Sequence, residues 1–334
     1  MSALEPTPDP IAPAELEASG KSRRWLLWLL GSLLGTALIG AFLYGWIAAD
    51  PGRAMRRLQS LSIDLPLGPP VPVSTPQGPI MTWRTGPITE HTYVLIHGLG
   101  DAGAGWVSVA QGLAKDHHVL ILDLPGHGRS TTPRSALAFD DLVAGLHAVL
   151  AQTPGQLNLV GNSLGGWVAA DYALKHPKRV RELTLINSAG FQWPLEPDEV
   201  LPSSRAGIQR KNKVIMGDQA PQLPGLLLDG LVALHNEPWL RPLFDQLMSK
   251  APKLDGRLGT FPGPIQLIWG TPDAFFPVAG YLERVQRERP GMPLTLLDNC
   301  GHAPQYSCPD ALLDALRSPL KGGSTSTATG TNQP

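Results

Sequence analysis

The chain has 334 residues, a formal net charge of -1 at pH 7, and 43% hydrophobic against 16% charged residues; it is long enough to bury one large core around one catalytic domain. That balance leaves no basic footprint and no run of interleaved Lys/Arg and aromatic residues, so nucleic acid is excluded as an expected partner. Its 2 cysteines, Cys300 and Cys308, are too few for a zinc site; so close together, they form either a short-loop disulfide in an oxidising compartment or two buried thiols.

In chain order, residues 1–20 are rich in Pro, Ala and Glu without periodicity and read as a disordered tail. From Trp25 to Ala49 no residue is charged, a length that crosses a ~30 Å hydrocarbon core as one transmembrane helix. Trp25, Trp28, Tyr44 and Trp46 sit near its ends, and Lys21, Arg23 and Arg24 on one side and Arg53, Arg56 and Arg57 on the other stop it. A cleaved signal peptide fits less well, because its apolar region runs to only about 7–15 residues and Ile47-Ala48-Ala49 is a poor cleavage site. Basic residues are balanced across the span and do not set its orientation; the short tail and paired cysteines favour an extracytoplasmic catalytic domain. Gly31 and Gly35 form a GxxxG pattern too common in membrane helices to predict a dimer.

The proline-rich residues 50–78 read as an extended linker, with the folded domain over 79–319 and a Gly/Ser/Thr-rich disordered tail over 320–334. Within the domain, a short strand around IMTWRT precedes apolar runs at 92–97, 118–123, 157–162, 183–187, 265–270 and 293–298 that alternate with helical patterns. The alternation predicts an α/β fold with a mostly parallel sheet, and the continuous apolar character predicts helices on both faces. Residues 191–264 hold only helical pieces broken by prolines, which reads as an inserted helical cap.

The chemistry concentrates at strand ends. LNLVGNSLGGWVAADYAL runs from a strand through Gly161-Asn162-Ser163-Leu164-Gly165 directly into a helix. This is the pattern of a nucleophile elbow: Ser163 in a tight, strained turn, with Gly161 and Gly165 small enough for strand and helix to pack. Leu164 opens the helix, so its N–H points toward an oxyanion, and Leu99 N–H in the glycine-rich turn LIHGLGDAGAGW, with Gly98, is the second candidate donor. His97 in that turn reads as structural and not as the base. The candidate base is His302, in DNCGHAPQYSCPD after the last apolar run. The candidate acid is Asp273 in IQLIWGTPDAFFP, giving the order Ser, Asp, His; Asp298 and Asp123 are weaker competitors. His127 in DLPGHGRS reads as a loop held by local hydrogen bonds, and His91, His117, His118, His147, His176 and His235 as surface or packing residues.

Taken together, HGLGDAGAGW, DLPGHGRS, GNSLGG, WGTPDAFFP and GHAP resemble the α/β-hydrolase superfamily over about residues 90 to 318. The resemblance implies acyl transfer to Ser163, a triad completed by Asp273 and His302, oxyanion donors at Leu99 and Leu164, and neither metal nor cofactor. Dehalogenases and epoxide hydrolases of this framework carry aspartate where this chain has Ser163. A glutamate common after the family's histidine is replaced by Ser307 and Cys308, and a Cys300–Cys308 bridge is the candidate substitute brace. Anchor, cap and triad together are similar to membrane-bound monoacylglycerol lipases and carboxylesterases, which implies a small-molecule acyl or lipid ester as substrate. Carbon–carbon or small-ester hydrolysis and a non-catalytic tethered binding domain stay open as alternatives.

Overall fold

The computed structural model describes residues 16–76, 78–130, 137–318 and 325–329. It divides at Asp50 into two units. The first holds one helix, α1 (Leu16–Ala49), whose Trp28–Ala49 stretch is long and apolar enough to cross a membrane. Leu33, Leu34, Leu38, Ile39 and Phe42 are all exposed on this helix. The expected disordered tail is shortened: residues 1–15 lie outside the described residues, but Leu16–Gly20 already belong to α1. Once a helix is nucleated each added residue gains a hydrogen bond, and Leu16, Glu17 and Ala18 are good helix formers.

The second unit begins with a correction. Residues 51–67, expected as extended linker, form helix α2 (Pro51–Leu67), followed by a short strand, β1 (Val71–Val73). Pro51 sits at the first helical position, where its missing N–H costs nothing, and Pro66 falls in the last turn before Gly68 at φ +81°. The prolines thus bracket the helix instead of breaking it. Ala54 and Ile63 are buried, and Asp64 accepts from Trp83 Nε1 at 3.3 Å and Arg129 Nη1 at 2.6 Å. Burying Ile63 is worth about 1.5–3 kcal/mol, more than the half-exposed Arg129 pair contributes.

The strands that follow are β2 (Ile80–Thr85), β3 (His91–Ile96), β4 (His118–Leu122), β5 (Gln156–Asn162), β6 (Val180–Ile186), β7 (Ile265–Thr271), β8 (Leu294–Asp298) and β9 (Thr325–Thr329). They form one sheet in the order β1-β2-β4-β3-β5-β6-β7-β8-β9, antiparallel at β1–β2 and β2–β4 and parallel from there on. β9 corrects the other tail: Thr is β-branched and pairs readily along the exposed edge of β8, so Thr325–Thr329 are ordered as a strand, while 319–324 and 330–334 lie outside the described residues. Side chains alternate between two cores. Val94, Ile96, Leu120 and Leu122 face one, with helices α4 (Phe139–Ala151) and α5 (Leu164–Lys175); Leu95, Val119 and Ile121 face the other, with α3 (Val107–Leu113) and Ile63 of α2. This is the α/β-hydrolase fold, built on a sheet buried on both sides.

Between β6 and β7 come α6 (Pro197–Val200), α7 (Arg205–Met216), α8 (Gly225–His235) and α9 (Leu240–Ser249); α10 (Glu283–Glu288), α11 (Pro304–Ser307) and α12 (Pro309–Arg317) complete the α-helices among the described residues. α2 backs the cap: a Cβ at Gly230 of α8 would lie 2.9 Å from Pro51 O. The chain leaves β3 toward β4 but crosses back beyond it to β5, so a crevice opens at the carboxyl ends of β3 and β5. Ile96 and Gly161 are register partners there. The turns carrying Leu99 and Ser163 are neighbours for that reason.

Candidate active site

Ser163 sits at φ 56°, ψ -121°, a conformation that costs a non-glycine residue about 1–3 kcal/mol and persists only where the surroundings impose it. They do so through the backbone: Ser163 N–H donates to Ile186 O, and Ser163 O accepts from Gly166 and Ala189 N–H, all within 3.1 Å. A Cβ at Gly161 would lie 2.4 Å from Gly165 C, and one at Gly165 would lie 2.3 Å from Ile96 O, so neither position admits a larger residue while strand and helix stay in contact. Leu164 is the first residue of α5 and its N–H has no intrahelical acceptor. Leu99, one residue past Gly98, lines the same cavity as Leu164 and Ser163.

His302 Nδ1 donates to Asp273 Oδ2 at 2.7 Å. Every lone pair of that carboxylate is spoken for: Oδ2 also accepts from Asn187 Nδ2 at 2.8 Å, and Oδ1 accepts from the N–H groups of Phe275 and Phe276 at 2.8 and 3.1 Å. Asn187 cannot turn over, since its Oδ1 accepts from Gly270 N–H and its Nδ2 also donates to Gly270 O. The carboxylate in turn leaves His302 one tautomer, with Nδ1 protonated and Nε2 carrying the lone pair. Both side chains are buried, with Phe275 edge-on to the imidazole at 5.1 Å.

The histidine loop is braced from three sides. Asn162 Nδ2 donates to His302 O at 3.0 Å and Asn162 Oδ1 accepts from Gln305 Nε2 at 3.0 Å. From the cap, Val214 O and Ile215 O at the end of α7 accept the N–H groups of His302 and Ala303 at 2.8 and 3.1 Å. Cys300 and Cys308 are joined in a disulfide, and the Ser307 hydroxyl donates to Cys300 O. Gly301 at φ +61° lets α7 approach: a Cβ there would lie 2.6 Å from both Gly217 N and Ile215 O. Gly301→Ala therefore pushes α7 off the loop, and ester turnover is expected to fall about 10- to 100-fold from misplacement of His302. Steady-state kinetics checks this, with a thermal melt to verify folding; unchanged turnover would contradict it.

The other candidates lie elsewhere. Asp298 accepts from Thr271 Oγ1, and Asp123 takes the N–H groups of Gly103 and Arg129 at 2.7 and 2.8 Å, its carboxyl pushed up to about 6 by burial. His97 donates through Nδ1 to Gly98 O and accepts Leu124 N–H at Nε2, and burial holds it down to about 4, a neutral strut between loops. His127 is bonded through Nδ1 to Pro125 O and lies edge-on to Trp239. Among the described residues no group of three or more His, Cys, Asp or Glu side chains could hold a metal ion.

Ser163, His302, Leu99 and Leu164 open into one cavity of about 370 Å³, in the range of small-molecule sites. Its walls are mostly apolar, with Trp167, Leu195, Ile208, Phe244 and Met248 among them, and Gln59 and Ser62 of α2 complete it.

The alpha/beta hydrolase family matches residues 93–315, most of the chain, with Ser163, Asp273 and His302 inside the match. The chain belongs to the alpha/beta hydrolase family. Among curated relatives it is 31% identical to monoacylglycerol lipase abhd6-A of Xenopus laevis over 251 residues, covering 66% of this chain and 73% of the relative. It is 27% identical over 247 residues to human monoacylglycerol lipase ABHD6, with the same shares. Among solved structures, a membrane phospholipase A described as a bacterial virulence factor superposes with a TM-score of 0.70 at 26% identity, over 87% of this chain and 96% of that one. Carboxylesterase CesB of Bacillus subtilis shares the fold, with a TM-score of 0.66 at 22% identity over 80% and 97% of the two chains.

Sequence reasoning missed several residues at this alpha/beta hydrolase site. Asn162 ends β5 within the elbow motif but was given no role, and Asn187 directly follows β6 with no motif of its own, though a residue beside the nucleophile and another at a strand's carboxyl end are placed to touch it. His235, read as a surface or packing residue, lines the cavity with Lys211, Asp101 and Tyr306. Only the packing of α7 and α8 over the sheet brings it there.

Proposed function

We propose that this protein is a membrane-anchored serine hydrolase of acyl esters that works through an acyl-enzyme on Ser163. The observation that carries the reading is the His302 Nδ1–Asp273 Oδ2 bond at 2.7 Å, on a carboxylate saturated by other donors, in a cavity shared with the strained Ser163. The names of the relatives, monoacylglycerol lipases among them, support esters as the substrate class.

In this reading His302 Nε2 takes the Ser163 proton as Oγ attacks the ester carbonyl, and the oxyanion is received by Leu99 and Leu164 N–H. Collapse breaks the bond to the alcohol, which leaves with the proton from His302. Water, deprotonated by the same nitrogen, then attacks the acyl-enzyme and releases the acid and free Ser163. Asp273 holds the tautomer and offsets the charge that His302 acquires in each half. The anchor is α1, whose 22-residue apolar stretch extends about 33 Å.

The apolar walls favour a hydrocarbon chain. On p-nitrophenyl esters from two to sixteen carbons (~2–16) presented to full-length protein in neutral detergent, kcat/KM is expected to rise about 10- to 100-fold from acetate to a medium or long chain, each buried CH₂ contributing up to ~0.8 kcal/mol. Fastest turnover on acetate, or none on any ester, would contradict the reading.

A further inference from the structure

The turn that carries Leu99 is fixed at its ends by groups already described: His97 Nδ1 donates to Gly98 O, and Asp123 Oδ1 accepts Gly103 N–H at 2.7 Å. Its middle is gripped from the histidine loop. Tyr306 OH donates to Asp101 Oδ1 at 2.5 Å, the short bond expected where a phenol meets a carboxylate. Asp101 N–H in turn closes on Gly98 O at 3.3 Å, so Leu99 lies inside a hydrogen-bonded turn whose far corner Tyr306 holds. The phenol has a seat made for it: a Cβ at Gly105 would lie 2.5 Å from Tyr306 Oη and 2.6 Å from its Cζ. Burial and the Asp101 charge raise the Tyr306 hydroxyl well above the ordinary phenol, so it keeps its proton and stays the donor. The cap faces the same carboxylate. Lys211 of α7, which donates to His235 Nε2 of α8 at 2.6 Å, attracts Asp101 and counters the rise that burial imposes on its carboxyl.

What Tyr306 grips is registered to the base. Tyr306 lies four residues past His302, its N–H donates to Ala303 O at 2.9 Å, and the Cys300–Cys308 disulfide closes one loop around both side chains. Asn162 already ties the nucleophile's strand to this loop through His302 O and Gln305. From these placements we infer that Tyr306 and Asp101 are a positioning pair that sets the Leu99 turn against the His302 loop, so that oxyanion donor and base address the same carbonyl. Nucleophile, base and oxyanion turn are then joined pairwise by side chains. The pair acts through Leu99 and His302 and does not itself take part in the reaction. A donor is worth most when it is fixed in advance where the oxyanion forms, and a displacement of a few tenths of an ångström weakens it in the transition state more than in the bound ester.

This rests on the serine hydrolase reading above, so the test compares variants with a wild type whose turnover is measured alongside. Full-length protein in neutral detergent is titrated calorimetrically with a long-chain alkyl trifluoromethyl ketone and with the corresponding methyl ketone. Ser163 Oγ adds to the fluorinated carbonyl carbon, its proton passes to His302 Nε2, and the carbonyl π pair becomes an oxyanion; the methyl ketone binds without adding. The ratio of the two affinities therefore reads how well donor and base are placed. In Tyr306→Phe, which keeps the ring on Gly105 and loses one oxygen, that ratio and kcat are each expected to fall about tenfold, with KM and methyl ketone affinity unchanged. Asp101→Ala is expected to do the same, and the double variant no more than either alone, because the two residues act as one. An unchanged ratio in Tyr306→Phe, or losses that multiply in the double variant, would overturn the pairing. So would an equal loss of affinity for both ketones, which would mean that Tyr306 contacts the bound chain. If wild type turns over esters, such results sink the positioning pair alone; if wild type neither turns over esters nor prefers the fluorinated ketone, the hydrolase reading falls and the pair with it.

Discussion

Ser163→Ala is expected to lower ester turnover by roughly 10⁴- to 10⁶-fold, because the residual rate then comes only from bound water and the oxyanion donors. The variant is expected to fold. Ser163 is held in its strained conformation by backbone bonds to Ile186, Gly166 and Ala189, which alanine also makes, and losing one oxygen introduces no clash. A melting temperature near that of wild type together with lost turnover would separate chemistry from stability. Turnover within tenfold (~10) of wild type would mean that another group attacks the ester.

Asp273→Asn is expected to cost nearly as much, about 10⁴-fold in kcat. The reason lies in the saturated carboxylate. With its amide nitrogen toward His302, the new side chain meets Asn187 Nδ2, a donor that its own bonds to Gly270 prevent from turning. That orientation also takes the lone pair of His302 Nδ1 and leaves the proton on Nε2, the wrong tautomer for a base. Turned the other way, the nitrogen faces the N–H groups of Phe275 and Phe276, which then have no acceptor. Either arrangement leaves a buried donor unsatisfied, at a further cost of about 1–3 kcal/mol of stability. Steady-state kinetics and a denaturant titration read the two effects; a kcat within tenfold (~10) of wild type would show that Asp273 does not orient the base.

The fold was legible because its signals are local. Continuous apolar runs separated by helical patterns translate directly into a parallel sheet, and the observed strands β3 to β8 coincide with those runs to within a few residues. The segments bearing Ser163, Asp273 and His302 could be picked out because each follows an apolar run, and parallel strands deliver all such ends to one edge. What escaped was tertiary. Asn187 matters only because β6 lies beside β7, and Lys211 and His235 only because α7 and α8 fold back over the sheet. Residues 51–67 misled for a different reason: proline content was read without its position, and proline at a helix's first turn promotes what proline in its middle forbids. The Thr-rich end was read by composition alone, whereas an open edge of the sheet gives Thr325–Thr329 a partner.

The most direct test of Ser163 as nucleophile is reaction of the full-length protein with an alkyl fluorophosphonate, followed by peptide mass analysis and ester turnover on the same sample. The expected result is one adduct per chain, on the peptide containing Ser163, with turnover lost in proportion to labelling. An adduct on another residue, or turnover that persists after Ser163 is fully labelled, would contradict it.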